Sequence, residues 1–320
     1  MHPRSHVLAG PAVRREPGPD RRHARSRASL RDVNVRERPV LIQSEGEQLV
    51  GILCEPARAA TAAVLVVVGG PQYRAGSHRQ FVLLTRRLAA EGIAAMRFDC
   101  RGMGDSSGPQ RTFEDSGPDI AAAIDSLLAS CPGAKRVVLW ALCDGASASL
   151  FYCKTRRDRR LAGIVLLNPW VRSEASEART RVKFYYASRV LQRSFWRKLT
   201  RGDVRIAESL RQLARSIIAA VRGEVPEARE SMEKFQDRMA DGLRSFDGPV
   251  LLVLSGRDLT AKEFIEYTRT SPRWAGLLDA ARVTRREVPE ADHTFSSARW
   301  RGEVEALTLA WLREAILADE

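Results

Sequence analysis

The sequence predicts an α/β fold, a mostly parallel doubly wound sheet interrupted by a helical insertion. Two observations predict it. Short β-branched runs alternate with helical stretches from residue 62 onward, the rhythm of a parallel sheet covered by helices on both faces. At Asn168-Pro169-Trp170 the rhythm stops, and helical patterning continues until strands resume after Asp247-Gly248-Pro249. A chain of 320 residues can be one large domain or one domain carrying such an insertion.

Residues 1–36 are rich in Arg, Pro, Gly and Ser with almost no apolar periodicity, so a disordered tail is expected there. Val40-Leu41-Ile42 and Leu49-Val50-Gly51-Ile52-Leu53 flank a polar turn and read as an antiparallel hairpin. Residues 62–68 then read as a buried strand, 79–90 as a helix, 94–98 as a strand and 118–129 as a helix. Residues 136–140 form the next strand, a helix starts at Asp144, and 163–167 is again a strand. The insertion spans 171–245, with helical patterning at 182–199 and 204–221. Strands at 250–254 and 282–288 and a helix at 304–317 finish the chain. The expected division is a tail (1–36), a core (37–170 and 246–320) and a helical cap (171–245).

Composition narrows the classes. With 44% hydrophobic and 28% charged residues the chain reads as an ordinary globular enzyme. No apolar run approaches the roughly 20 residues that span a bilayer, and the basic N-terminal residues are not followed by the apolar core of a secretory leader. Five cysteines, an odd number without a CxxC pair, suit free thiols in a reducing cytoplasm. The two histidines outside the tail, His78 and His293, are not at zinc-ligand spacing, so neither a metal nor a cofactor is expected. The net charge of +13 is concentrated in two places. Residues 1–36 hold nine Arg against three acidic residues, and 171–245 hold 17 Lys and Arg against 10 Asp and Glu. The rest is balanced, so nucleic acid is not an expected partner. A basic tail can steer a protein to anionic surfaces, and the cation–aromatic mixture at 181–199 suits either a membrane-surface helix or a cap helix packed over a site. Oligomeric state is not legible.

Ligands of a doubly wound sheet bind at the carboxyl ends of its strands, so the loops there carry the chemistry. Val137-Val138-Leu139-Trp140-Ala141-Leu142-Cys143-Asp144-Gly145 reads as a strand, a tight turn and a helix start. That is a nucleophile elbow with cysteine at its tip and small residues, Ala141 and Gly145, two positions either side. A thiol beside a helix N-terminus has its thiolate favoured. Cys54, Cys100, Cys131 and Cys153 lack such a context and read as core residues. An oxyanion hole would take the N–H of Asp144 and one from the loop Gly69-Gly70-Pro71-Gln72-Tyr73-Arg74. Pro71 has no N–H, so with the glycines forming the turn Gln72 is the better donor. Tyr73, Arg74 and His78 are candidate substrate contacts, and Arg74, Arg79 and the basic cap hint at an anionic substrate or carrier. In the loop Asp99-Cys100-Arg101-Gly102-Met103-Gly104-Asp105, Asp99 and Arg101 read as structural ties. Asp258 follows the strand 250–254 and His293 follows 282–288, giving an acid and a base; Asp292 is the alternative acid.

These residues resemble the α/β-hydrolase superfamily across roughly 40–320, on the 99–106 loop, Ala141-Leu142-Cys143-Asp144-Gly145, Gly256-Arg257-Asp258 and Asp292-His293. The chain order of nucleophile, acid and base is that of the fold. The 69–81 loop, Cys143-Asp144 and Leu254-Ser255-Gly256-Arg257-Asp258-Leu259-Thr260 are similar to the exosortase A system-associated hydrolase 1 family. That resemblance implies a bacterial protein accompanying exopolysaccharide and protein-sorting systems. Ala141 departs from the glycine commonest at its position.

The expected activity is a cysteine-dependent hydrolase of esters or thioesters with a small-molecule or carrier-linked acyl substrate. An acyltransferase using the same acyl-cysteine and a non-catalytic binding protein on this fold are the alternatives.

Overall fold

The computed structural model describes residues 35–70, 72–172 and 234–318. Its strands are β1 (Arg36–Ser44), β2 (Glu47–Glu55), β3 (Ala62–Val67), β4 (Ala94–Phe98), β5 (Arg136–Leu142), β6 (Leu161–Leu167), β7 (Val250–Ser255) and β8 (Val283–Val288). The helices among the described residues are α1 (Gln80–Ala90), α2 (Gly117–Ser130), α3 (Asp144–Thr155), α4 (Phe235–Ser245), α5 (Leu259–Thr270) and α6 (Ala298–Ala315). All eight strands lie in one sheet, in the order β1-β2-β4-β3-β5-β6-β7-β8. The predicted hairpin is β1–β2, antiparallel, with Arg36 already paired to Glu55. β2 also runs antiparallel to β4, and every remaining pair is parallel.

The continuous apolar runs of β3 and β5 follow from burial on both faces. Ala63, Leu65 and Val67 of β3, with Val137, Leu139 and Ala141 of β5, pack under α2, α3 and α4. Their neighbours Val64, Val66, Val138 and Trp140 face the other way, into a second core with Phe81 and Leu88 of α1 and Leu309 and Trp311 of α6. Trp140 meets Phe81 edge-on at 5.8 Å, and its indole N–H reaches Thr308 at 3.2 Å. The edge strand β8 differs, with Arg285, Arg286 and Glu287 exposed. Charged side chains there discourage pairing with another chain.

The predicted cap helices at 182–199 and 204–221 lie outside the described residues, as do residues 1–34 of the tail. The last stretch assigned to the insertion is described. It forms α4, whose Met239, Ala240 and Leu243 are buried against the core. Gly242 faces the backbone of α3, where an added Cβ would overlap the Leu150 carbonyl oxygen and lie 2.8 Å from its carbon. Gly242→Val is therefore expected to destabilise the fold by about 1–3 kcal/mol through overpacking. Urea denaturation checks this, and an unchanged midpoint would contradict the close α3–α4 packing.

Candidate active site

Cys143 sits between β5 and α3 with φ 61 and ψ −127, a backbone conformation a side chain rarely adopts and one that clusters at functional sites. Its surroundings hold it there. The Cys143 N–H donates to Leu167 O (2.9 Å), and its carbonyl accepts from Ala146 N (3.0 Å) and Trp170 N (3.2 Å). The small neighbours are a steric requirement. An added Cβ at Gly145 would lie 2.5 Å from Val67 O and 3.0 Å from Gly69 N, and Ala141 is fully buried. Cys54 and Cys153 are buried, while Cys100 and Cys131 are partly buried against the core; burial pushes the Cys100 and Cys153 thiols up to about 12 and raises those of Cys54 and Cys131.

Asp258 and His293 are brought to Cys143 from different strand ends. His293 Nδ1 lies 2.8 Å from Asp258 Oδ2, and the ring also feels the Cys143 side chain. Burial disfavours the charged ring, but the hydrogen bonds and charges of Asp258 and Cys143 outweigh it and raise the His293 pKa to about 10. Asp258 is also the N-cap of α5, accepting from Thr260 N and Ala261 N, both at 3.1 Å, so it is oriented before the histidine arrives. Asp292, the alternative acid, faces elsewhere. Its carboxylate accepts from Ser296 N (3.0 Å) and the Ser296 hydroxyl. Burial raises its pKa, but the Ser296 bonds and the nearby His78 charge outweigh this and leave it lowered.

The first loop packs directly on the elbow. Gly70 N–H donates to Asp144 Oδ2 at 2.6 Å. Gly69 lies so close that an added Cβ would overlap Asp144 Oδ1 and Gly145 N. Burial raises the Asp144 pKa against the opposing pull of the Gly70 N–H, and its Oδ1 is buried without a hydrogen-bond partner among the described residues. The Gln72 side-chain oxygen, in the same loop, is likewise buried and unpartnered. The sequence points to the backbone N–H of Asp144; the signal for its side chain is the facing Gly69-Gly70 pair.

Arg74, offered by the sequence to an anionic substrate, directs its guanidinium to Asp99 and Asp105, the latter at 2.6 Å, and its own N–H reaches Asp99 Oδ1 at 2.6 Å. Its charge is thus matched by two carboxylates, and it braces the loop. Asp99 also accepts from Asp105 N (3.0 Å), and Arg101 ties to Asp119 (2.9 Å) and Ser44 O (2.9 Å). Both therefore act as the structural ties expected of them. Tyr73, His78 and Arg79 are exposed, and His78 (φ 53) and Arg79 (φ 61) are consecutive left-handed residues ahead of α1. Among the described residues, no group of three or more His, Cys, Asp or Glu is placed to hold a metal ion, and no helix is long and apolar enough to cross a membrane.

This strand order, with a strained elbow after β5, a carboxylate after β7 and a histidine after β8, defines an enzyme of the α/β-hydrolase fold. Residues 64–307 match the Alpha/beta hydrolase family, and the chain belongs to that family. Solved structures agree on the fold. The Pyrococcus furiosus esterase Pf2001 superposes with a TM-score of 0.60 at 16% identity, covering 89% of this chain and 95% of its own. A thermophilic esterase from Thermogutta terrifontis gives 0.52 at 21%, with coverages of 87% and 99%. Est1E from Butyrivibrio proteoclasticus, solved with ferulic acid bound, gives 0.56 at 13%, with coverages of 87% and 99%. No curated protein matches the sequence.

Proposed function

We propose that this chain hydrolyses ester or thioester bonds through an acyl-cysteine formed on Cys143. The single observation that carries this reading is the placing of His293, 2.8 Å from Asp258 and under the influence of Cys143 at the strained elbow. His293 takes the thiol proton, and the thiolate attacks the acyl carbon. The backbone N–H groups of Asp144 and Gln72 hold the developing oxyanion. As the tetrahedral intermediate collapses, the imidazolium gives its proton to the leaving alcohol or thiol. His293 then deprotonates water, which attacks the acyl-cysteine; collapse expels the Cys143 thiolate, and the acid is released. Asp258 holds the imidazole in the required tautomer and orientation throughout.

The structural neighbours from Pyrococcus furiosus and Thermogutta terrifontis are esterases, which supports an ester bond as the target. Transfer of the same acyl group to an alcohol or amine is the second reading, favoured by the cysteine itself, because a thioester is readily attacked by nucleophiles other than water. The biological setting we attach, a bacterial cytoplasm with an exopolysaccharide or exosortase system, rests on the motif resemblance of the 69–81 loop and Cys143-Asp144. Weak association with anionic membranes through the basic tail or cap belongs to the same proposal.

Intact-mass spectrometry after incubation with a panel of activated esters and thioesters tests the reading. An acyl adduct on the wild type that is absent from Cys143→Ala supports it and identifies the acyl chain. Turnover without such an adduct, and equally fast in Cys143→Ala, would overturn it; no turnover by either would favour the non-catalytic alternative. Adding a polyol acceptor and analysing products separates transfer from hydrolysis.

A further inference from the structure

We propose that Asn168 and Ser255 are positioning residues whose side chains hold the His293 loop in register with Asp258 and Cys143; the role rests on the reading of the site given above.

Asn168 follows β6 and is completely buried, and Ser255, the last residue of β7, is 2% exposed. A polar pair in such a place must be fully hydrogen-bonded to be tolerated. The Asn168 amide donates from Nδ2 to Ser255 Oγ (2.9 Å) and to the His293 carbonyl (3.0 Å), and its Oδ1 accepts from Ser255 N (2.9 Å). Ser255 Oγ in turn donates to the Asp292 carbonyl at 2.9 Å. The amide has only one workable orientation, since a flip would set an oxygen against the His293 carbonyl and an NH2 against the Ser255 N–H.

The two carbonyls engaged belong to Asp292 and His293 themselves. Fixing both peptide planes sets the direction in which the His293 side chain leaves the backbone. The same short stretch joins the other two strand ends. Leu167 O accepts the Cys143 N–H, and Asn168 N donates to Val253 O at 3.2 Å. Ser255 lies three residues before Asp258. Asn168 itself adopts φ 43, a left-handed conformation that asparagine tolerates better than most residues. Nucleophile, acid and base thus approach one another across a single buried amide–hydroxyl pair.

A plug that merely closes the end of the sheet would be needed for stability alone. A positioning role makes a different prediction, because displacing a reacting group by about 1 Å can cost about 100-fold in rate. The full chain carrying Asn168→Asp, Ser255→Ala or Ser255→Thr is compared with the wild type in three measurements. These are steady-state kinetics, the rate of Cys143 alkylation by iodoacetamide at pH 6, and the downfield proton NMR signal of His293 Nδ1–H, assigned by its loss in His293→Ala. Asn168→Asp keeps the shape and removes both donors. Ser255→Ala removes one hydroxyl, and carries the test if Asn168→Asp does not fold.

The expected result is a fall in kcat of about 10- to 100-fold with KM changed less than about 3-fold. Alkylation should slow and the His293 signal shift or broaden, with all three restored in Ser255→Thr. Variants that melt earlier but keep the wild-type kcat, alkylation rate and His293 signal would overturn the proposal. If wild-type alkylation is indifferent to His293→Ala, the cysteine reading fails. The positioning role is then decided by the His293 signal alone.

Discussion

His293→Ala is expected to slow acylation of Cys143 by about 100- to 10,000-fold, the usual contribution of a positioned general acid–base group, while the protein stays folded. Folding should survive because Asp258 keeps the Thr260 and Ala261 N–H groups as partners when the ring is gone. The wild type should also lose activity as pH rises through about 10, where the imidazolium that protonates the leaving group is itself deprotonated. Stability shifts in the same window. The folded-state pKa of His293 lies above its ordinary value of 6.5. The pairing therefore stabilises the fold fully below about pH 6.5 and is lost as pH rises through about 10. With the ring partly exposed, the contribution is on the order of 2 kcal/mol. Urea titrations of wild type and His293→Ala between pH 6 and 10.5 should converge at the alkaline end, and parallel curves would rule out the raised pKa.

Gly69→Ala is expected to reduce kcat/KM by about 100- to 1,000-fold, the scale of losing one oxyanion-hole donor. The new methyl group would overlap Asp144 Oδ1 and Gly145 N and lie 2.9 Å from Gly145 Cα. The two Gly145 atoms are backbone, and the Asp144 carboxylate is held in place by the Gly70 N–H. Either the first loop lifts, breaking the Gly70–Asp144 hydrogen bond of 2.6 Å, or the elbow shifts and moves Cys143. Both would displace the Asp144 and Gln72 N–H groups proposed to hold the oxyanion. Gly302→Ala is the matched control. It lies in α6 with nothing within 4 Å of its added Cβ and should leave the kinetics unchanged. A Gly69→Ala enzyme with wild-type kcat/KM would show that the loop does not contribute to the reaction.

Much of this arrangement is legible in the sequence. The runs within β3, β5, β6 and β7 are apolar on consecutive residues because these strands are buried on both faces. The elbow is legible because a sharp turn excludes side chains two positions either side of its tip. The sequence favours Asp258 as the acid but leaves Asp292 as an alternative, since both carboxylates lie close to a strand end near the histidine. The fold settles the geometry by turning Asp292 onto Ser296 and capping α5 with Asp258. Arg74 was misleading in the sequence because a loop cation looks available until its partners, Asp99 and Asp105, are seen 25 and 31 residues away.

By itself the sequence determined the α/β order of elements, the cysteine at the elbow and the chain order of acid and base, because periodicity and steric exclusion act locally. The tertiary structure alone decided which side chains meet. Asn168 and Ser255 are 87 residues apart, and Gly70 and Asp144 are 74 apart. Those contacts depend on which strand ends the parallel sheet sets side by side, and no local pattern in the chain encodes that.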